Sequence, residues 1–125
     1  MQISDKDDII VLLAGTNNIP KDSICECIDK IEDTINEARA LKPKSTIIIP
    51  EIFDRYDDQI LLASHKIRNI NLYLEDKCRK SKDMVLLKHD FNRWDFNRGG
   101  LHLSKKGKKK FADSIKFIVR QVMSE

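Results

Sequence analysis

Three uninterrupted apolar runs stand out from an otherwise polar chain: Asp8–Ala14 (Asp-Ile-Ile-Val-Leu-Leu-Ala), Ser45–Pro50 (Ser-Thr-Ile-Ile-Ile-Pro) and Met84–Leu87. Runs of aliphatic and β-branched residues without polar alternation predict strands buried on both faces, as in a parallel sheet. Between and after them the apolar period changes. Ile24, Cys27/Ile28, Ile31, Ile35, Ala38 and Leu41 recur every three or four residues, and so do Ile60, Ala63, Ile67, Ile70, Leu74 and Cys78, then Phe111, Ile115, Ile118 and Val122. Each set marks one buried helix face. Asp22 or Ser23 is placed to cap the first helix, Lys42-Pro43-Lys44 stops it, and Ser104 caps the last.

The predicted order is β-α-β-α-β-loop-α. Strands alternating with amphipathic helices indicate an α/β fold, a parallel sheet flanked by helices in three layers, α/β/α. Ile9, Ile47 and Val85 are evenly spaced, with a helix in each interval, so both connections are crossovers. No linker or second domain interrupts the pattern, and residues 1–125 read as one domain.

Composition narrows the class. With 23 Lys+Arg against 20 Asp+Glu, the 125 residues carry a net charge of only +3, too little to demand a polyanionic partner. The basic residues concentrate at Lys105, Lys106, Lys108, Lys109 and Lys110. Without aromatics or further basic clusters the run reads as a solvated helix face, so nucleic acid is not expected, and weak polyanion binding through Lys105–Lys110 is a further alternative. No stretch is long and apolar enough for a membrane span. Cys25, Cys27 and Cys78 are an odd set with no metal-ligand spacing; they read as reduced, largely structural thiols. Together with the polar, acidic start of the chain, they suggest a cytoplasmic setting. No metal or cofactor is expected: Gly15 is alone, without a phosphate-cradling glycine pattern.

In an open α/β sheet, ligands bind beyond the carboxyl ends of the strands. Three segments fall there: Gly15-Thr16-Asn17-Asn18, residues 50–58, and the loop from His89 to Leu103. Asn17 follows its strand closely enough to present an amide N–H to a developing oxyanion, or to bond its own turn. His102 is a candidate general base near neutral pH, or a simple loop histidine. Arg55 and Trp94 are candidates for lining the crevice, with Phe91 and Phe96 beside Trp94.

Two segments together resemble the SGNH (GDSL-type) hydrolases. Ile10-Val11-Leu12-Leu13-Ala14-Gly15-Thr16-Asn17-Asn18 resembles the family's third block, a strand followed by G-x-N-[DN]. Leu101-His102-Leu103-Ser104-Lys105-Lys106-Gly107 resembles the fifth, D-x-x-H-[LP]-[SN]-x-x-G. The resemblance implies a flavodoxin-like SGNH fold of which this chain is the C-terminal portion, truncated to three strands. It implies an esterase site with His102 as general base and Asn17 as oxyanion donor. Gly15, Asn18, Arg55 and Trp94 would bind an acyl ester substrate.

Two departures bear on activity. The acid expected three positions before the histidine is Gly99, with Asp95 and Asp90 elsewhere in the loop, and no Gly-Asp-Ser segment is present to supply the nucleophilic serine. An imidazole without a nucleophile has only water to activate. The expectation is therefore a serine-esterase-like domain, inactive or nearly so alone; the alternative is a non-catalytic α/β module that binds a ligand or partner. In the family the serine-bearing strand lies beside the strand equivalent to 9–14. Its absence would leave an edge open to self-association or to a partner chain.

Overall fold

The computed structural model describes residues 8–13 and 19–124. Its elements run β1 (Ile9–Val11), α1 (Ile24–Leu41), β2 (Thr46–Pro50), α2 (Ile60–Lys80), β3 (Met84–Leu87), a 3-10 turn (Arg93–Asp95) and α3 (Lys105–Met123). The strands form a parallel sheet in the order β1-β2-β3, with Ile10 opposite Ile47 and Ile48 opposite Val85.

The two faces of the sheet are covered by different elements. Ile47 and Ile49 of β2 and Met84 of β3 join Cys27, Ile31, Ile35 and Ala38 of α1 and Ala63, Ile67, Ile70, Leu74 and Cys78 of α2 in one core. Successive strand side chains point to opposite faces. Ile48 and Leu87, buried but outside that core, therefore face the side on which α3 lies against β3. This second side carries an aromatic cluster. Phe53 meets His89, Phe91 and Phe111 edge-on at ring distances of 4.6, 5.2 and 5.1 Å.

Local signals explain the starts of α1 and α3, whereas α2 follows Gln59 without a side-chain cap. Ser23 caps α1 in a reciprocal box with Glu26, its Oγ accepting from the Glu26 N–H at 3.1 Å. Ser104 caps α3, its Oγ accepting from the Gly107 N–H at 3.1 Å. Cys27 and Cys78 are buried free thiols whose pKa burial raises, whereas Cys25 is exposed.

Three burial expectations need correction. β1 is three residues long and half-exposed, because of its residues only Ile10 packs against the α1–α2 core, joined by Leu12 just beyond it. Leu41 is 80% exposed, since α1 has by then run past the sheet. On α3 only Gly107 is fully buried; Phe111, Ile115, Ile118 and Val122 are half-covered, because that helix touches little beyond β3 and the 3-10 turn. Among the described residues no helix is long and apolar enough to cross a membrane.

Candidate active site

A parallel sheet sends all its strand exits to one end, and here four sets of contacts shape that end. The segment after β1 includes Gly15, Asn17 and Asn18, which lie outside the described residues. The chain is described again at Ile19, where Lys66 of α2 reaches across. Its ammonium donates to the carbonyls of Ile19, Pro20 and Asp22 at 3.1, 3.3 and 2.8 Å, so one cation gathers three turn carbonyls. After β2, the Asn71 side chain accepts from the Ile52 N–H at 2.7 Å and donates to its carbonyl at 3.0 Å. One amide thus replaces a strand partner and fixes the loop on α2.

The exits of β2 and β3 are tied together through Glu51 and His89. Glu51 Oε1 accepts from the His89 N–H at 2.8 Å, and the Glu51 carbonyl accepts from His89 Nε2 at 3.0 Å. That bond assigns the ring proton to Nε2 and leaves Nδ1 buried without a hydrogen-bond partner among the described residues. Burial among aromatic rings lowers the His89 pKa to about 4, against a smaller upward pull from the Glu51 carbonyl. His89 is therefore a neutral structural group at neutral pH.

His102 sits on the loop that follows. Phe96 and Leu103 form an antiparallel bridge, and the Asn97 N–H donates to the His102 carbonyl at 2.8 Å, making residues 96–103 a short hairpin. Its tip docks on the segment after β2: the Tyr56 N–H donates to the Gly100 carbonyl at 2.7 Å. Gly100 has φ +77°, and a Cβ there would lie 2.8 Å from the Asp57 nitrogen and nearer still to the Tyr56 carbonyl. Only glycine fits both the left-handed backbone and this close approach.

The foot of the hairpin is locked to α3. Asp95 is fully buried; its Oδ2 accepts from the Asn92 N–H and from Lys110 Nζ, both at 2.9 Å, and its carbonyl accepts from the Ser104 N–H at 2.9 Å. The Asn92 N–H and then the Lys110 ammonium hold its carboxyl below the ordinary aspartate range. Gly107 packs directly on the Asp95 carbonyl.

The remaining candidates take distinct places. The His102 side chain is exposed and makes no hydrogen bond among the described residues. Asp95 is committed to Asn92 and Lys110, and no hydrogen bond joins it to His102. Arg55 lies beneath the surface, 5% exposed, and forks onto Asp57 with Nε–Oδ1 at 3.0 Å and Nη2–Oδ2 at 2.6 Å. That guanidinium holds the Asp57 carboxyl below its usual range. Trp94 stands 77% exposed, while Phe96 is buried and Phe91 stacks on His89, so the three do not form one wall. The tip of the hairpin that carries His102 nevertheless docks beside Arg55, through Gly100 and Tyr56.

The sequence reading missed Lys66, Asn71 and Glu51, and His89, a weaker histidine candidate with no evident partner in the sequence, finds its partner in Glu51. Polar residues on or beside an otherwise apolar element were their only signal. Among the described residues no group of His, Cys, Asp and Glu side chains is arranged to hold a metal ion.

No protein-family model and no curated protein sequence matches the chain. Solved structures do. A carbohydrate esterase family 3 structure from Talaromyces cellulolyticus superposes with a TM-score of 0.78 at 18% identity, over 94% of this chain and 59% of that one. A structure from Streptococcus pneumonia described as a platelet activating factor gives 0.74 at 23% identity, over 90% and 59%. A family 3 carbohydrate esterase from Clostridium thermocellum gives 0.61 at 22% identity, over 93% and 59%. The α/β/α fold implied by the SGNH resemblance is thus the fold of this chain, which spans about three-fifths of each similar structure.

Proposed function

We propose that the chain carries the base-bearing part of an SGNH-type ester hydrolase site. His102 is its general base and Asn17 its oxyanion donor; Gly15, Asn18, Arg55 and Trp94 contribute to acyl-substrate binding. The observation that supports this best is the hairpin. It holds a histidine at the carboxyl end of a sheet whose fold is that of carbohydrate esterases, and it is clamped at tip and foot by glycines that no other residue can replace without displacement.

Within these 125 residues no Gly-Asp-Ser segment offers a nucleophile to the imidazole. The base then acts on water, and the expected hydrolysis is slow. Turnover of a short-chain nitrophenyl ester tests the reading: His102→Ala and Asn17→Ala should each lower it toward the rate in buffer. Unchanged turnover in both variants would reject it. A non-catalytic module is the second reading, favoured by Gly99 in the acid's position and by the His102 ring, which has no hydrogen-bond partner among the described residues. It predicts that a non-hydrolysable ester analogue binds while turnover stays at the buffer level.

The open side of the sheet suggests how the site is completed. Among the described residues β1 pairs only with β2. A second copy or a partner chain adding a strand there would pair the free backbone groups and cover Ile9 and Val11. Sedimentation of the isolated chain should show association, and a stable monomer across the concentration range would contradict this.

A further inference from the structure

The surface around the start of α3 carries a concentration of cations that the proposed ester site does not use, although it borders Trp94 of that site. Between Arg93 and Arg120 the chain carries nine basic side chains and two acidic ones, although its net charge is only +3. Both acids are already engaged: Asp95 is buried against Lys110 and the Asn92 N–H, and Asp113 pairs with Lys109 at 3.1 Å. Arg98, Lys105, Lys106 and Lys108 are exposed and have no carboxylate partner among the described residues.

The aromatics that meet the lysine run, Phe111 after it and Phe91 under Lys110, are half-buried, and folding adds an exposed one. The hairpin lays the 3-10 turn along the α3 cap, where Ser104 Oγ donates to the Trp94 carbonyl at 3.3 Å. Trp94, the only tryptophan, stands 77% exposed, its carbonyl bonded to the Ser104 that immediately precedes Lys105 and Lys106. Arg93 is tied inward, its guanidinium donating to the Asn97 and Arg98 carbonyls at 3.0 Å each, which stiffens the loop that holds the indole out.

We propose that this face binds single-stranded nucleic acid, with Trp94 stacking on an unpaired base while Arg98, Lys105, Lys106 and Lys108 contact successive phosphates. An exposed indole offers a flat apolar face that any base can cover, and cations spaced around it track a flexible backbone. A duplex would hide the base faces. An anionic bilayer would need an apolar stripe beside the cations, but the exposed Phe117 and Met123 lie on later turns of α3.

The test is fluorescence anisotropy of a labelled twelve-residue oligothymidylate titrated with the full chain. Four phosphate contacts imply a fall in affinity of about 50-fold between 50 and 200 mM salt. Trp94→Ala should weaken binding at least about fivefold, and Trp94→Phe, which keeps a ring, should retain most of it. The double variant Lys105→Glu/Lys106→Glu should bind weakly and with a shallower salt slope. The substituted side chains are exposed, and circular dichroism checks that each variant is folded. The proposal fails if the oligonucleotide does not bind at 50 mM salt, or if Trp94→Ala binds as tightly as the parent. It also fails if phosphatidylserine vesicles are bound and the oligonucleotide is not. None of these outcomes depends on ester hydrolysis.

Discussion

Replacing Gly107 by alanine tests the joint that fixes the His102 hairpin to α3. On an exposed helix this change stabilises by up to about 1 kcal/mol through helix propensity. Here the added Cβ would lie 2.9 Å from the Asp95 carbonyl carbon, closer still to its oxygen, and 3.2 Å from Leu103 Cδ2. The backbone carbonyl has no rotamer with which to yield, so the first turn of α3 must withdraw. Overpacking of this kind costs about 1–3 kcal/mol. Withdrawal also stretches the bond from the Ser104 N–H to the Asp95 carbonyl, worth about 1 kcal/mol. After the propensity gain is set against these costs, the net loss is about 1–3 kcal/mol, a fall in Tm of about 4–12 °C for a domain of this size. Thermal melts followed by circular dichroism, with urea midpoints as a check, measure it. A Tm equal to or above that of the parent would refute the packing argument.

Two further predictions concern buried charge. Because the unfolded chain protonates His89 near pH 6.5 and the folded chain only near 4, stability should fall as pH drops through that window. The full difference corresponds to about 3 kcal/mol, reduced to about 1–2 by partial solvent exposure of the ring. Urea midpoints at pH 7 and pH 4.5 measure it, and a His89→Phe variant that keeps the same pH slope would contradict the assignment. Arg55→Ala should destabilise by about 2–3 kcal/mol, because Asp57, with its side chain 14% exposed, loses a bidentate partner. Arg55→Lys should recover only part of this, since an ammonium cannot reproduce the fork; a denaturation midpoint for Arg55→Ala that matches the parent would count against it.

How much of this was legible in the sequence depends on the range of the interaction. β3 is found at Met84–Leu87 as its pattern predicts, β2 differs only in starting at Thr46, and the α2 stripe from Ala63 to Cys78 is buried as its period requires. Periodicity identifies an apolar face without saying what covers it, which is why β1 and α3 are less buried than their patterns suggest. The site frame depends on side chains bonding to backbone far away in sequence. Lys66 reaches Ile19 and Asn71 reaches Ile52, and neither has a local signature. The Ser104 cap and the glycine of the fifth block were legible because a cap acts within one helical turn. The reason Gly107 must be glycine was not, because it lies in the Asp95 carbonyl on the other side of the hairpin.

On the proposed function, the hairpin presents a general base that lacks its acid, and Gly99 is the position to probe. Its backbone is not in the left-handed region, and a Cβ there would meet only Asn97 Oδ1 at 3.5 Å, ordinary contact, so the position accepts a side chain at Cβ. Nitrophenyl ester turnover should rise severalfold in Gly99→Asp through orientation of the imidazole, and the gain should vanish in Gly99→Asp/His102→Ala. A Gly99→Asp rate equal to the parent, or a gain that survives loss of His102, would contradict the account.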